Sequence, residues 1–220
     1  DADVGKLRRE LKRADNLTES ILYYARLRTV EKDIKIRTFS AADIVEEAVK
    51  SQTELLMGAG IRVETEGDFS IYSDPKSVCF MLKQLLINCA KYCPGCRITI
   101  QAQNGVISVR DNGPGIPAHE LRRVTERGFT GSGARAADNV GQASDKEPGG
   151  VWPEAVKNES PNDARPRAAA HVAHTAPTTS GTGMGLYIVK ELCNHLKISL
   201  RIESVAGEFT CISLTFENTD

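Results

Sequence analysis

The sequence predicts an α+β fold: a two-layer sandwich of helices on a β-sheet, preceded by one long helix. Short stretches that alternate apolar and polar residues are interleaved with longer stretches of helical periodicity along residues 34–216. An Asn-Gly pair at residues 104–105 separates two strand-like runs, which is typical of a β-hairpin. A separate helical pattern occupies about residues 4–30, ahead of the sandwich.

The leading helix carries apolar residues at helical or heptad spacing, with charged residues between them. One helix cannot bury such a stripe alone, so we expect a partner helix from another segment or another chain. A core helix of a single globular domain is the alternative. We therefore divide the chain into residues 1–33 and a domain over residues 34–220.

The domain opens with an extended stretch at 34–37 and a helix over about 40–57, which Ser40 caps and glycines terminate. Asp74 and Pro75 begin the next helix, because aspartate suits the N-cap and proline the first turn. The other predicted elements are strands at 61–64 and 71–72, the helix to about 92, strands at 97–102 and 106–109, a helix at about 184–196, and strands at 198–203 and 211–216.

Residues able to carry chemistry lie at three places. Asp111 ends an apolar strand and is followed by Gly113, Gly115 and Ile116 among prolines, a composition that suits a sharp turn against a flat ligand. On the helix before it, Gln84, Asn88 and Lys91 share one face at spacings of four and three. An amide oxygen is a hard ligand for Mg²⁺, and a lysine can meet phosphate charge.

The third place is the glycine-rich run over residues 181–186, which leads into the last helix. A helix that starts in glycines offers unpaired N–H groups and a positive dipole end to phosphate. A dinucleotide-binding turn is a weaker interpretation, since no strand leads into the run and its glycine spacing is wrong. The three places together predict a site for ATP with Mg²⁺.

In this order the three places resemble the ATP-binding domain of sensor histidine kinases, within the superfamily of gyrase, the heat-shock chaperone and the mismatch-repair ATPase. The family's Asn-Ala-x-Lys-Tyr/Phe motif stands here as Asn88-Cys89-Ala90-Lys91-Tyr92. Residues 126–131 and 182–187 are similar to the intramembrane-sensing kinases of Gram-positive bacteria that respond to peptide antibiotics. The resemblance implies a Bergerat-type ATP-binding fold and covers nearly the whole chain outside one inserted stretch.

The resemblance also implies a role for each matched residue. Asp111 would accept the adenine amine and Asn88 would hold Mg²⁺, with Lys91 and Gln84 in the same catalytic group. The other implied nucleotide contacts are Tyr92, Gly113, Gly115, Ile116, Phe129, Gly181, Thr182, Gly183, Met184, Gly185, Leu186 and Thr210. The simpler alternatives are a strand-end turn for Asp111 and a helix-surface amide for Asn88.

The implied activity is transfer of the ATP γ-phosphoryl group to a histidine, for relay to a response regulator. Residues 1–33 would be the second helix of a dimerisation hairpin, which implies a homodimer of the full-length protein, and an ABC transporter is a further candidate partner. No apolar run approaches the roughly 20 residues that cross a bilayer. We therefore expect the cytoplasmic portion of a cell-membrane protein whose spans precede residue 1. A net charge of −1 argues against nucleic acid as a partner.

Three departures from the family pattern affect this interpretation. Gln84 stands where the superfamily often has an acid, which disfavours water activation more than transfer to histidine. Phe209 replaces a glycine before Thr210. No histidine lies in the leading helix, since the four histidines are His119, His171, His174 and His195. A nucleotide-binding module without turnover is therefore the alternative function, and a serine kinase of the anti-sigma type is a weaker third.

Two further patterns are interpreted as structural. Residues from about 130 to 180 lose periodicity, and we expect a lid with a mostly disordered insertion there, in which His171 and His174 form no site. Cys89, Cys93 and Cys96 follow a C-x3-C-x2-C spacing, and the last two form a redox or zinc half-site. Because Cys89 falls within a periodic helix, we interpret all six cysteines as reduced core thiols.

Overall fold

The computed structural model describes residues 2–26, 34–131 and 183–217. The helices of this part are α1 (Ala2–Arg26), α2 (Ala41–Ser51), α3 (Thr53–Gly58), α4 (Pro75–Tyr92), α5 (Ala118–Leu121) and α6 (Gly185–Leu196). The strands are β1 (Arg37–Ser40), β2 (Arg62–Glu66), β3 (Ser70–Ser73), β4 (Arg97–Gln103), β5 (Val106–Asp111), β6 (Ile198–Val205) and β7 (Phe209–Phe216).

Five strands form one mixed sheet in the order β2-β4-β5-β7-β6. β2 pairs with β4 in parallel, whereas the other neighbours are antiparallel. β1 and β3 form a separate antiparallel pair. The adjacent strands β5 and β7 come from distant parts of the chain. Their pairing therefore joins the middle of the chain to its C-terminal region.

The core lies between this sheet and the helices α2, α4 and α6. β4 alternates buried and less buried side chains, which leaves one of its faces packed and the other more accessible. The largest fully buried side chains come from both layers and include Phe80, Met81, Leu85, Ile100 and Leu192. The predicted two-layer α+β sandwich is confirmed.

The hairpin predicted at Asn104-Gly105 is also confirmed. Asn104 has φ 53° and Gly105 has φ 76°, the left-handed pair that a two-residue type I′ turn requires. The strands are longer than predicted, so Asp111 is the last residue of β5 and pairs with Ile98 on one side and Thr210 on the other.

The single helix predicted over residues 40–57 is wrong in one respect. Ser40 does cap its start, with Oγ accepting from the N–H of Asp43 at 3.1 Å. The helix is interrupted at Gln52, which has φ −111° and ψ 8°, and resumes as α3. The side chain of Gln52 is buried against α1 and bonds Asn16, a non-local contact that helical periodicity could not reveal.

α1 has two unlike faces. Its apolar stripe is exposed, with side chains 43–63% accessible at Val4, Leu7, Leu11, Leu17, Ile21 and Leu22. Another face packs on the domain, where Asn16 and Gln52 exchange hydrogen bonds of 3.0 and 3.3 Å and Tyr23 stacks on Phe80 at 3.9 Å between ring centroids. Among the described residues no helix is long and apolar enough to span a bilayer.

Candidate functional site

Asp111 lies at the end of β5 with its carboxylate almost buried. Its Oδ1 accepts the N–H of Gly113 at 2.9 Å, and Oδ2 is 4.0 Å from Sγ of Cys89 on α4. Burial raises the pKa of Asp111, and backbone N–H groups of Gly113 and Thr210 act in the opposite direction. A buried carboxylate acceptor therefore lies where the carboxyl end of the central strand β5 meets α4.

The two glycines after Asp111 are required by close packing. A Cβ at Gly113 would lie 2.3 Å from Cβ of Cys93, and one at Gly115 would lie 2.1 Å from the carbonyl oxygen of Val205. Gly115 also has φ 64°. The sequence predicted glycines for the approach of a ligand, and the structure adds that protein atoms already fill the space of both Cβ positions.

Asn88 and Gln84 lie on α4 opposite the start of α6. A Cβ at Gly185 would lie 3.2 Å from Oε1 of Gln84 and 3.5 Å from Oδ1 of Asn88. The glycine at this position thus lets the start of α6 approach the amide-bearing face of α4. Cys89, the next residue after Asn88, is 4.0 Å from Oδ2 of Asp111, so this part of α4 lies against the end of β5.

Two buried polar atoms on this part of α4 have no hydrogen-bond partner among the described residues: Nδ2 of Asn88 and Nζ of Lys91. Nζ of Lys91 lies 4.7 Å from the ring centroid of Tyr92, a cation–π contact that only partly offsets its desolvation. Buried polar groups are normally satisfied. Two unpartnered donors three residues apart on one helix suit an anionic ligand.

The two edges of the predicted lid meet. The N–H of Gly128 donates to the carbonyl of Gly183 at 3.1 Å, and a Cβ at Gly183 would lie 2.7 Å from the carbonyl oxygen of Phe129. Phe129 lies below the guanidinium of Arg123, 5.0 Å from its ring centroid. The chain therefore leaves and re-enters the described domain at one point. Gly181, Thr182, His171 and His174 lie outside the described residues.

α6 begins at Gly185 without a side-chain cap, because its cap residue is Met184. The first N–H groups of an α-helix have no intrahelical acceptor, and Met184 supplies none. Met184 and Leu186 pack partly against the core, which fixes the helix end against α4. No described side chain caps this twelve-residue helix, so its start presents a positive dipole end beside Gln84 and Asn88.

Thr210 and Ile116 are joined through Ser204. The hydroxyl of Ser204 is 2.7 Å from the N–H of Ile116 and 3.2 Å from the hydroxyl of Thr210. Phe209 does not disrupt the turn before it, since Gly207 adopts φ 86° and Phe209 pairs with Val205 in the hairpin. The Arg110 guanidinium instead stacks 3.6 Å from the Phe209 ring centroid. Ser204 carried no signal in the sequence.

Gln84 has an unexpected partner. Its Nε2 donates to Oγ of Ser20 on α1 at 3.0 Å, while Lys83 next to it approaches Glu19 at 3.6 Å. The amide predicted to assist chemistry is thus tied to the leading helix. His119 and His195 are exposed: Nε2 of His119 is 3.9 Å from Oε1 of Glu120, and Nδ1 of His195 is 2.7 Å from the carbonyl oxygen of Glu191.

A model of the histidine kinase-, DNA gyrase B- and HSP90-like ATPase family matches residues 73–150. The sensor protein BceS of Halalkalibacterium halodurans is 25% identical over 217 residues, covering 96% of this chain and 53% of that protein. The sensor histidine kinase GraS of Staphylococcus haemolyticus is 26% identical over 213 residues, covering 94% of this chain and 50% of that protein.

Among solved structures, full-length ShkA in complex with AMPPNP aligns with a TM-score of 0.63 at 15% identity, covering 98% of this chain and 38% of that one. This likeness establishes the fold alone. The chain spans about half the length of the curated relatives it matches.

Proposed function

Because this chain contains an ATPase domain of the histidine kinase, DNA gyrase B and HSP90-like family, we propose that it binds Mg²⁺–ATP and transfers the γ-phosphoryl group to a histidine of another helix. The observation that carries the proposal is the pairing of a buried carboxylate acceptor, Asp111, with the orphaned side chains of Asn88 and Lys91. Asp111 suits a nucleotide base that donates a hydrogen bond. Asn88 and Lys91 suit phosphates with a cation.

The base would lie against β5 and β7, where Asp111 accepts its exocyclic amine. Ile116, Met184, Leu186 and Phe129 would supply apolar contacts, and Thr210 a hydroxyl. In guanine a carbonyl occupies the position of that amine, so Asp111 would face an acceptor. Such a mismatch in a site shielded from water disfavours guanine. The burial of Asp111 beside the paired backbone of Thr210 supports this position for the base.

Mg²⁺ fits the side chain of Asn88. Rotation of the Asn88 amide about its last bond exchanges oxygen and nitrogen, so its oxygen can face a cation. Bound there, the ion would neutralise charge on the phosphate oxygens. Lys91 would pair with a phosphate, and Gly183, Gly185 and the positive dipole end of α6 would cradle the rest.

In the transfer step an imidazole nitrogen of the acceptor attacks the γ-phosphorus and the bond to the β-phosphate oxygen breaks, which leaves ADP. A neutral imidazole is already nucleophilic, so positioning and charge stabilisation supply most of the catalysis. Gln84 cannot accept the proton of a water molecule, which favours transfer over hydrolysis.

The proposed assembly is supported by the relatives, which include a sensor protein and a sensor histidine kinase. In the full-length protein α1 would be the second helix of a dimerisation hairpin and its exposed apolar stripe would meet the partner helix. The phosphoryl group would pass to a response regulator. The chain would be the cytoplasmic portion of a membrane protein, and an ABC transporter beside it remains a prediction.

The test is phosphotransfer in trans. Incubated alone with γ-labelled ATP, the chain should gain almost no acid-labile label, because its leading helix contains no histidine. A separate folded hairpin that carries the acceptor histidine should become labelled. Asn88→Asp should suppress this transfer. Gln84→Ala removes an uncharged side chain from the same helix face and should reduce the transfer much less.

A nucleotide-binding module without turnover is the second candidate, and the hydrogen bond that ties Gln84 to Ser20 favours it. It predicts ATP binding with no label on the hairpin at any concentration. That result, obtained with a hairpin shown by circular dichroism and cross-linking to be folded and docked, would contradict the kinase proposal.

A further inference from the structure

Two cysteine sulfurs and a carboxylate converge beneath the turn that follows β5, and a third cysteine sulfur lies beside one of them. Sγ of Cys89, Sγ of Cys93 and a carboxylate oxygen of Asp111 all lie within 4.8 Å of one another. Sγ of Cys96 is 2.9 Å from Sγ of Cys93. All four side chains are buried, and all three thiols are free.

The local backbone explains this convergence. Cys89 and Cys93 lie one helical turn apart at the end of α4, where the Cys93 N–H donates to the carbonyl of Cys89 at 2.9 Å. The chain then turns through Gly95, at φ 80°, and the N–H of Cys96 reaches the carbonyl of Cys93 at 3.2 Å. A Cβ at Gly95 would meet nothing within 4 Å, so the glycine is there for its backbone conformation.

We propose that Cys89, Cys93, Cys96 and Asp111 form a Zn²⁺ site. Soft thiolates select zinc among the abundant divalent ions, and four ligands match its tetrahedral preference. Zn–S bonds of about 2.3 Å place tetrahedral ligands about 3.8 Å apart. The sulfurs of Cys93 and Cys96, now 2.9 Å apart, would separate by roughly 1 Å on binding the ion.

Zn²⁺ displaces thiol protons when it binds, and it is released again as the protons rebind.

Asp111 would then serve two ligands. If it accepts the adenine amine, as proposed above, Zn²⁺ and the nucleotide base exclude each other, and the metal would switch nucleotide binding off. This regulatory consequence rests on the proposed function. The metal site itself does not, because it depends only on the side chains that converge.

The site is tested with Co²⁺ as a spectroscopic substitute for Zn²⁺ on the reduced, chelator-treated 220-residue chain. One Co²⁺ should bind per chain, with a thiolate-to-cobalt charge-transfer band and intense visible bands of tetrahedral geometry, and added Zn²⁺ should bleach both. Cys93→Ala and Cys96→Ala should each weaken Zn²⁺ binding by at least about a hundredfold, since loss of a supporting outer contact already costs 10–100-fold.

Cys79→Ala and Cys193→Ala are the matched controls, because both are buried helical cysteines of the same core outside the cluster. They should keep the spectrum, and the melting temperature of every variant checks that it folds. A charge-transfer band that survives in the Cys93→Ala/Cys96→Ala variant would overturn the proposal. So would a native Cys93–Cys96 disulfide in a protein whose reduced form takes up no cobalt.

The regulatory step has its own readout. Adenosine, which lacks the phosphates that chelate metal, should displace Co²⁺ and bleach the band in proportion to its occupancy of the site. If adenosine binds by calorimetry and leaves the band unchanged, the shared role of Asp111 is overturned. If neither adenosine nor Mg²⁺–ATP binds but cobalt does, the nucleotide proposal fails while the metal site stands.

Discussion

Asp111 is the residue on which most of the proposed chemistry depends. Replacing it with asparagine keeps its shape but presents an N–H group toward the donor of adenine. A buried polar mismatch of this kind costs about 1–3 kcal/mol, or roughly tenfold to a hundredfold in affinity. Calorimetry of adenosine binding to the wild type and Asp111→Asn measures this loss. Equal affinities would remove Asp111 from the adenine site.

The same residue predicts a pH dependence. Burial raises the pKa of Asp111 above that of an ordinary aspartate, so the folded protein binds this proton more tightly than the unfolded chain does. The cost of burying the carboxylate is absent below the unfolded pKa and is fully present above the folded one. Adenosine affinity should therefore fall as pH drops through the folded pKa, at a higher pH than for an ordinary aspartate. Asp111→Asn should show no such step.

Gly115 allows a comparison of two kinds of strain. It and Gly207 both have left-handed backbone, but a Cβ at Gly115 would lie 2.1 Å from the Val205 carbonyl oxygen and one at Gly207 would meet nothing within 4 Å. Alanine at either position introduces the conformational cost, and alanine at Gly115 adds a clash with backbone. Urea unfolding should show Gly115→Ala as the more destabilising by roughly 1–3 kcal/mol. Equal losses would mean that the turn shifts freely.

At the scale of elements, the docking of α1 on the domain rests on paired polar groups. Asn16 and Gln52 are buried and exchange two hydrogen bonds, so Asn16→Ala leaves the Gln52 amide unsatisfied. The expected loss in the free energy of unfolding is about 1–3 kcal/mol. Thr18→Ala is the control, since its hydroxyl bonds the carbonyl of Ala14 within the exposed part of the same helix. An equal effect of both changes would show that α1 stays docked without this pair.

Elements with a local signal were predictable from the sequence. The caps at Ser40 and Asp74 and the Asn104-Gly105 turn each depend on a few adjacent residues, and the structure contains all three. The break at Gln52 has no local signal, and the side chain of Gln52 bonds Asn16, thirty-six positions away. The cysteine spacing alone favours a structural interpretation, because only the fold shows that β5 brings Asp111 against α4.

Residues of the candidate site that belong to a sequence motif were predictable. Residues placed there by packing between distant parts of the chain were not. Asn88, Lys91, Asp111 and Gly185 were identified from residue type and spacing. The contacts of Ser20 with Gln84 and of Ser204 with Ile116 join residues more than sixty positions apart, and serine in a helix or a strand gives no local sign of such a role. For the nucleotide roles of all these residues, the experiments above remain the test.

At the scale of the whole molecule, the pairing of β5 with β7 has a consequence for synthesis. The two strands meet at Asp111 and Thr210, almost a hundred residues apart in sequence. On a ribosome that adds about 5–20 residues per second, β5 would wait roughly 5–20 seconds for its neighbour, with one row of backbone donors and acceptors unpaired. An open strand edge of this kind is a template for pairing with other chains. Nascent chains arrested before residue 209 should therefore be far more prone to aggregate than the finished protein, and they are the form of this molecule most in need of a chaperone.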